Sequence, residues 1–307
     1  MSESNRTLIR YVPEITYGTT PVSDPGWKII PHNSDSLNSK PIVTESARIR
    51  TDRMVQDQIK VSEENSGSVD FELSYGDFDD LLEAVMCDAW TTNVLEFGTT
   101  DFSFTLEKEF SDLTPHYMQI KGARVDKLDL SFKFGEVVKG SVAFAGQKGF
   151  QSTTSLVGAG STAAVSANPI MAGNVDMDTV TFDGTSIATS GIVVDEITLS
   201  IANGMRPNNS LISASPVDQK KGTGRISGRM RCYASVAAWA VFTKMLANSQ
   251  TSLSWVIKDA ALKGYTFTLP AIKLSGNAPA AGGQDQDIMI DAEFLCISTK
   301  PTITRHP

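Results

Sequence analysis

A mainly β chain with one short helix in each half is what the sequence predicts, and three observations predict it. Apolar and polar residues alternate with a period of two in many short segments, the mark of half-buried antiparallel strands. Only two stretches carry apolar residues at helical spacing. The order of elements in the first half returns in the second. At 307 residues the chain fits two domains, each of roughly 150 residues.

The elements follow in order. Residues 1–26 contain Pro13, Pro21 and Pro25 and read as an extended arm rather than a packed element. A long polar loop, Arg50 to Gly67, leads into a strand in which Val69, Phe71, Leu73 and Tyr75 alternate with Asp70, Glu72 and Ser74. Asp77 then offers an N-cap to a helix carrying Phe78, Leu81, Leu82, Val85 and Met86 on one face. Strands follow at Phe102–Leu106 and through Leu128, Leu130 and Phe132, the latter opening a hairpin that ends near Phe144.

Gln151 to Asn174 is mostly Ser, Ala, Gly and Thr and reads as a linker or insertion. The Asp183-Gly184 pair marks a hairpin, since both residues tolerate positive φ. A second long loop, Gly204 to Gly224, leads into the strand Ile226–Cys232. A helix after Ser235 follows, with Val236, Trp239, Ala240, Phe242, Met245 and Leu246 as its apolar residues. Strands Leu253–Ile257, Tyr265–Leu274 and Ile288–Ile297 complete the chain.

This repeated order of loop, strand, helix and strands reads as an internal duplication. Strand faces match at an offset of 157 residues and the helix caps Asp77 and Ser235 at 158 (235 − 77). A local echo joins Val125-Asp-Lys-Leu-Asp-Leu-Ser-Phe-Lys-Phe-Gly135 to Val194-Asp-Glu-Ile-Thr-Leu-Ser-Ile-Ala-Asn-Gly204. The expected boundaries are an arm at 1–26, domains at 27–150 and 191–307, and a linker or insertion at 151–190.

Net charge is 27 − 35 = −8, which argues against a general nucleic-acid binder. Residues 1–150 hold 15 basic and 24 acidic side chains, and 151–307 hold 12 and 11. Glu63 to Asp112 carries 14 acidic residues against the single Lys108. Such a stretch is either a solvated face or a surface that repels another polyanion. No apolar run approaches the roughly 20 residues of a membrane span, and residues 1–6 lack a signal-peptide core. Cys87, Cys232 and Cys296, odd in number and widely spaced, fit free thiols in a reducing cytoplasm.

Catalytic chemistry is not visible. His32, His116 and His306 stand apart from one another and from any cysteine, so no zinc spacing arises. Gly140 to Gly146 with Gln147-Lys148 misses the phosphate-loop spacing and has no following Ser or Thr. Asp77, Asp79, Asp80 and Glu83 cluster where a helix first turn favours carboxylates. No cofactor, metal site or enzymatic activity is expected.

The segment Gly67-Ser-Val-Asp-Phe-Glu-Leu-Ser-Tyr-Gly-Asp-Phe-Asp-Asp-Leu-Leu-Glu-Ala-Val-Met86 resembles the strand–helix signature of tail tube proteins of long-tailed bacteriophages. Arg53-Met-Val-Gln-Asp57 and Tyr11-Val-Pro-Glu-Ile-Thr-Tyr-Gly-Thr-Thr-Pro21 are also similar to that family. The second half departs from the signature with Arg229, Arg231 and Trp239. The resemblance implies two tandem tail-tube-type β-barrel or sandwich domains, each with one short helix. It implies a structural virion protein that assembles with itself into trimeric, pseudo-hexameric rings. The rings stack into a hollow tube through which phage DNA passes without specific binding or membrane insertion.

The tape measure, tail terminator and distal tail proteins are the further partners implied. The location implied is the tail of the virion after synthesis in the host bacterial cytoplasm, and a non-contractile tail is favoured. Asp70, Glu72, Asp126 and Asp129 are the candidates to face an acidic channel. Arg53, Asp57, Arg206 and Asp218, in the two long loops, are the candidates for contact between rings. Two other readings compete: another virion β-protein (tail terminator, baseplate hub or decoration module), and a carbohydrate-binding β-sandwich, which would show clustered exposed aromatics.

Overall fold

A computed structural model describes residues 3–22, 26–113, 116–157, 164–281 and 283–307. The first half comprises β1 (Thr7–Pro13), β2 (Lys28–Ile29), β3 (Ser34–Asp35), β4 (Asn38–Glu45), β5 (Gln58–Glu72) and α1 (Asp79–Met86). It continues through β6 (Val94–Glu96), β7 (Phe104–Phe110), β8 (His116–Lys133), β9 (Lys139–Ala145) and β10 (Lys148–Ser152). The second begins with β11 (Met177–Phe182), β12 (Thr185–Ser186), α2 (Ile187–Ser190), β13 (Val194–Ala202), β14 (Arg206–Asn208) and β15 (Asp218–Lys220). It ends with β16 (Arg225–Tyr233), α3 (Trp239–Leu246), β17 (Gln250–Lys258), β18 (Gly264–Ser275), β19 (Met289–Cys296) and β20 (Thr302–His306). The chain is mainly β, as its alternation predicts, with large antiparallel sheets.

The strand pairings of the two halves repeat. β1–β7, β7–β8, β8–β10, β8–β9 and β5–β9 recur as β11–β17, β17–β18, β18–β20, β18–β19 and β16–β19. Particular residues fix the equivalence. Gly67 lies opposite Phe144, which lies opposite Val125. Gly228 lies opposite Phe294, which lies opposite Leu274. The same bulge interrupts β7–β8 between Phe104 and Leu106 and β17–β18 between Thr251 and Leu253. The offsets are therefore 161 for β5 to β16 (228 − 67) and 149 for β8 to β18 (274 − 125). For the helix starts the offset is 160 (239 − 79). These replace the 157 and 158 expected from face matching. Glycine leaves space for the Phe294 ring at Gly228 and for the Ser36–Leu37 backbone at Gly67, a signal that apolar periodicity does not carry.

The echo of Val125–Gly135 in Val194–Gly204 has a different origin. These strands are antiparallel neighbours, with Leu130 opposite Leu199. Two adjacent strands of one sheet share a buried and a wet face, so they alternate alike without being repeats.

Helix α1 forms because Leu81, Leu82, Val85 and Met86 fall on its buried side. Cys87, left-handed at φ 54°, ends it. The Phe71 and Phe78 rings stack at 4.0 Å beneath it. Phe132 of the first half packs edge-on against Trp255 and Phe267 of the second at 5.6 and 5.5 Å. A single apolar core therefore runs through both halves.

Several sequence expectations need correction. Where an extended arm rather than a packed element is expected, β1 is a packed strand with Ile9, Tyr11 and Val12 buried, because pairing with β7 along its whole length outweighs the prolines around it. Asp77 does not cap α1. Its carboxylate instead accepts Ser74 Oγ and, at 2.9 Å, Asn168 Nδ2. The loop Arg50–Gly67 becomes strand from Gln58 onward, and Gly204–Gly224 contains the β14–β15 hairpin. In the supposed linker, Gln151 and Ser152 belong to β10 and Met171 is buried; residues 158–163 lie outside the described residues. On α3 the buried residues are Val241 and Met245, while Val236, Trp239 and Leu246 of the expected apolar face are exposed. The Asp183-Gly184 hairpin forms as expected, with both residues at positive φ.

Candidate functional site

One sheet crosses both halves, in the order β3, β5, β9, β8, β13, β16, β19. The β8–β13 pairing is its seam. A row of directly opposed residues runs Ser34, Asp70, Ser141, Asp129, Ser200, Ser227. The next row runs Glu72, Lys139, Ser131, Thr198, Arg229, Glu293. Directly opposed residues share a face, so this face is polar from one half to the other. The opposite face holds Val69, Phe71, Leu128, Leu130, Ile197, Leu199, Met230 and Phe294, all buried. A sheet with one wet and one dry face is suited to lining a water-filled space over a core.

Asp70 and Glu72 of β5 and Asp129 of β8 come together on the polar face. Asp70 accepts Ser141 Oγ and Ser34 Oγ, each at 2.6 Å, and these two bonds hold its carboxyl below the ordinary aspartate value. Glu72 accepts Asn33 Nδ2 at 3.1 Å, and Asp129 pairs with Lys127 at 2.8 Å. Asp126 does not join them. It stands in the bulge between Val125 and Lys127, where its carboxylate receives Met205 N at 2.6 Å and its carbonyl receives Asn203 N at 2.7 Å.

The face is also not acidic, contrary to expectation. In the first half Lys127, Lys133 and Lys139 answer Asp70, Glu72 and Asp129. In the second, Arg225, Arg229 and Arg231 answer Glu196, Asp291 and Glu293. Arg229 pairs with Glu196 at 2.7 Å. In the turn after β8, Glu136 receives Lys133 and Lys139, both at 2.5 Å, and these bonds bring its carboxyl down to about 2. Alternation with Leu128, Leu130 and Phe132 already puts Lys127 and Lys133 among the polar positions, but sequence reasoning missed the arginines of this face, although the alternation of Arg225, Arg229 and Arg231 with Ile226, Met230 and Cys232 marks them. The acidic surplus clusters instead around α1, where Asp80 meets Lys28 at 2.6 Å and Asp79 meets Arg305 at 2.9 Å.

The four loop candidates separate into two kinds. Arg53 (φ 64°) and Asp57 lie in the tip of the β4–β5 hairpin, exposed throughout. Asp57 closes that tip by accepting Ser46 N at 2.9 Å on its carbonyl. Ile42, Val43, Ile49, Met54, Val55, Ile59 and Val61 are exposed along the hairpin. Arg206 is exposed on β14 opposite Lys220. Asp218 is tied inside the chain, to Lys220 at 2.6 Å and to Arg124 at 3.1 Å. Burial pushes its carboxyl up, but Lys220 and Arg124 outweigh it and the net shift is downward. The β14–β15 hairpin thus lies against the first half, with Glu63 N donating to Ala214 O at 3.0 Å.

Elsewhere the cysteines are free thiols. Burial raises all three, Cys232 to about 11 and Cys296 to about 12. Among the described residues, no cluster of His, Cys, Asp and Glu suits a metal ion, and no helix is long and apolar enough to cross a membrane.

No curated protein matches the chain. A two-faced sheet crossing two repeated halves, with a long exposed hairpin at one edge, is the architecture on which the family comparison bears. That comparison matches residues 4–296 to the family described as phage tail tube protein, so the chain belongs to the phage tail tube family.

Proposed function

We propose that this structural tail protein polymerises into rings stacked as a hollow tube, and that the polar face of the β3–β19 sheet lines the passage for phage DNA. The observation that carries the reading is the continuity of that face across the β8–β13 seam. Each chain supplies two tail-tube-like domains, the first reaching back to take in β1 and the second to take in β11. Three chains then give six domain positions, a trimer with pseudo-sixfold symmetry. Closure of the ring removes the open strand edges that an isolated subunit presents, β4 among them.

Balanced charge suits a conduit as well as an acidic lining does. Every net phosphate contact releases counterions and adds affinity, whereas a face whose cations are answered by neighbouring carboxylates has little net pull on the duplex. The exposed β4–β5 tip, with Arg53 and Asp57, reaches the next ring. The tape measure protein occupies the passage before DNA does, and terminator and distal tail proteins cap the ends. Synthesis takes place in the host cytoplasm. Electron microscopy of the purified chain tests this reading: hollow polymers of uniform width with threefold-repeating rings are expected. Sixfold rings with one chain per domain position, or no polymer at any concentration, would overturn it.

A further inference from the structure

Within the chain the second half covers the start of α1. Tyr265 Oη donates to Asp79 Oδ1 at 2.6 Å and accepts Gly76 N at 2.8 Å. Arg305 Nη1 donates to Asp79 Oδ2 at 2.9 Å, and its guanidinium lies 4.8 Å from the Trp90 ring centre. β20 also pairs with β6, in the connection that follows α1.

The repeat places an equivalent patch on the far side of the second half. The helix offset of 160 carries Gly76 onto Val236 and Asp79 onto Trp239 (76 + 160, 79 + 160). There the patch is bare: Val236 is 98% exposed, Trp239 50% and Leu246 72%. Helix α3 buries Val241 and Met245 beneath itself, as α1 buries Leu81 and Val85. Its outward stripe is therefore a second apolar surface in addition to its core face. The connection from α3 to β17 spans only residues 247–249 and offers no counterpart of β6 to cover it.

We infer that this outer face of α3 is where a second copy of the chain docks, through the edge of its first half that corresponds to the Tyr265 and Arg305 edge. The β8-to-β18 offset of 149 returns Tyr265 to His116 (265 − 149), exposed at the start of β8 beside the half-exposed Tyr117. β20 corresponds to β10, where Gln151 is exposed. A second copy is the occupant because the chain already makes this contact once, between the same two elements in the same order. Repeating it head to tail propagates one interface around a closed ring. The chemistry changes from the half-buried acid and guanidinium and the buried phenol of the internal contact to an apolar and aromatic one. Trp239 is the anchor, of the residue type that dominates interface energies.

The inference rests on the self-assembly reading above, and the test separates the two. Full-length wild type and Trp239→Glu are compared by thermal unfolding of the subunit and by light scattering of assembly. A second experiment joins Trp239→Cys and His116→Cys in one chain and applies a short bismaleimide, with each single variant as control. The expected result is an unchanged melting temperature and a critical concentration for assembly raised by roughly tenfold or more in Trp239→Glu. Covalent oligomers are expected in the double-cysteine variant alone. If wild type assembles, Trp239→Glu assembles at the same concentration and no cross-link forms, the docking site is wrong while the tube reading stands. If wild type stays monomeric at every concentration, both fall. Should Trp239→Glu prove destabilised, the cross-link decides by itself.

Discussion

Gly228 has no room for a side chain: a Cβ there would sit 2.0 Å from the Thr198 carbonyl oxygen and 2.4 Å from the Phe294 ring. Its counterpart Gly67, at φ +149°, would place a Cβ 2.5 Å from the Leu37 backbone. Gly228 lets the Phe294 ring lie across the sheet, and Gly67 lets the Ser36–Leu37 backbone approach the strand. Gly228→Ala is expected to cost about 1–3 kcal/mol, the usual scale of overpacking, read as a lower urea midpoint with an unchanged slope. Asp70 gives a second outcome, in pH. Ser141 and Ser34 stabilise its ionised form in the folded chain, so its folded pKa lies below the unfolded one. That contribution is full above the unfolded value of about 3.9 and is lost as pH falls through the lower folded value. Asp70→Asn should therefore show a shallower loss of stability with acid than wild type, below about pH 4. Equal acid slopes for the two would mean that Asp70 keeps no special stabilisation in the fold.

At the scale of elements, the β4–β5 hairpin is the piece whose removal should separate folding from assembly. It projects with its apolar side chains exposed, and among the described residues β4 pairs only with β5. Replacing residues 47–56 with a two-residue Asn-Gly turn should leave the melting temperature of the subunit within a few degrees of wild type and abolish tube formation. Normal tubes from that variant would remove Arg53 and the rest of residues 47–56 from the contact between rings. Much of the element plan was legible in the sequence. Alternation located β5, β8, β17, β18 and β19, and the Leu81, Leu82, Val85, Met86 spacing located α1. Period alone could not assign the face of α3, because that helix carries apolar residues on both sides and only its packing partner decides which side is core. The prolines near β1 were outweighed by strand pairing to β7, a long-range contact that local propensity does not register. Among the candidate site residues, Asp70, Glu72 and Asp129 follow directly from alternation. Asp126 does not, because a bulge shifts the register by one residue beside it, and one residue is enough to change faces.

For the whole molecule, the charge total of −8 misleads about the proposed passage, because the carboxylates in excess gather near α1 and the sheet face is balanced. That balance makes a sharp expectation about DNA transit. Replacing Glu72 and Asp129 with lysine turns a neutral stretch of the face basic. Asp129 shares only an exposed ion pair with Lys127, and such pairs contribute roughly 0–1 kcal/mol, so the subunit should fold and polymerise much as wild type does. Transit should change, because unanswered lysines facing the duplex gain affinity through counterion release. In phage carrying the double variant, DNA release triggered in vitro should be slower than in wild type. The deficit should be largest at low salt and shrink as added salt shortens the screening length from about 30 Å at 0.01 M to about 8 Å at 0.15 M. Release that is unchanged at every salt concentration, with tubes of normal length and width, would show that Glu72 and Asp129 do not face the DNA. A slowing that does not respond to salt would point instead to a steric obstruction by the longer lysine side chains, and would remove electrostatic balance as the reason this face suits a conduit.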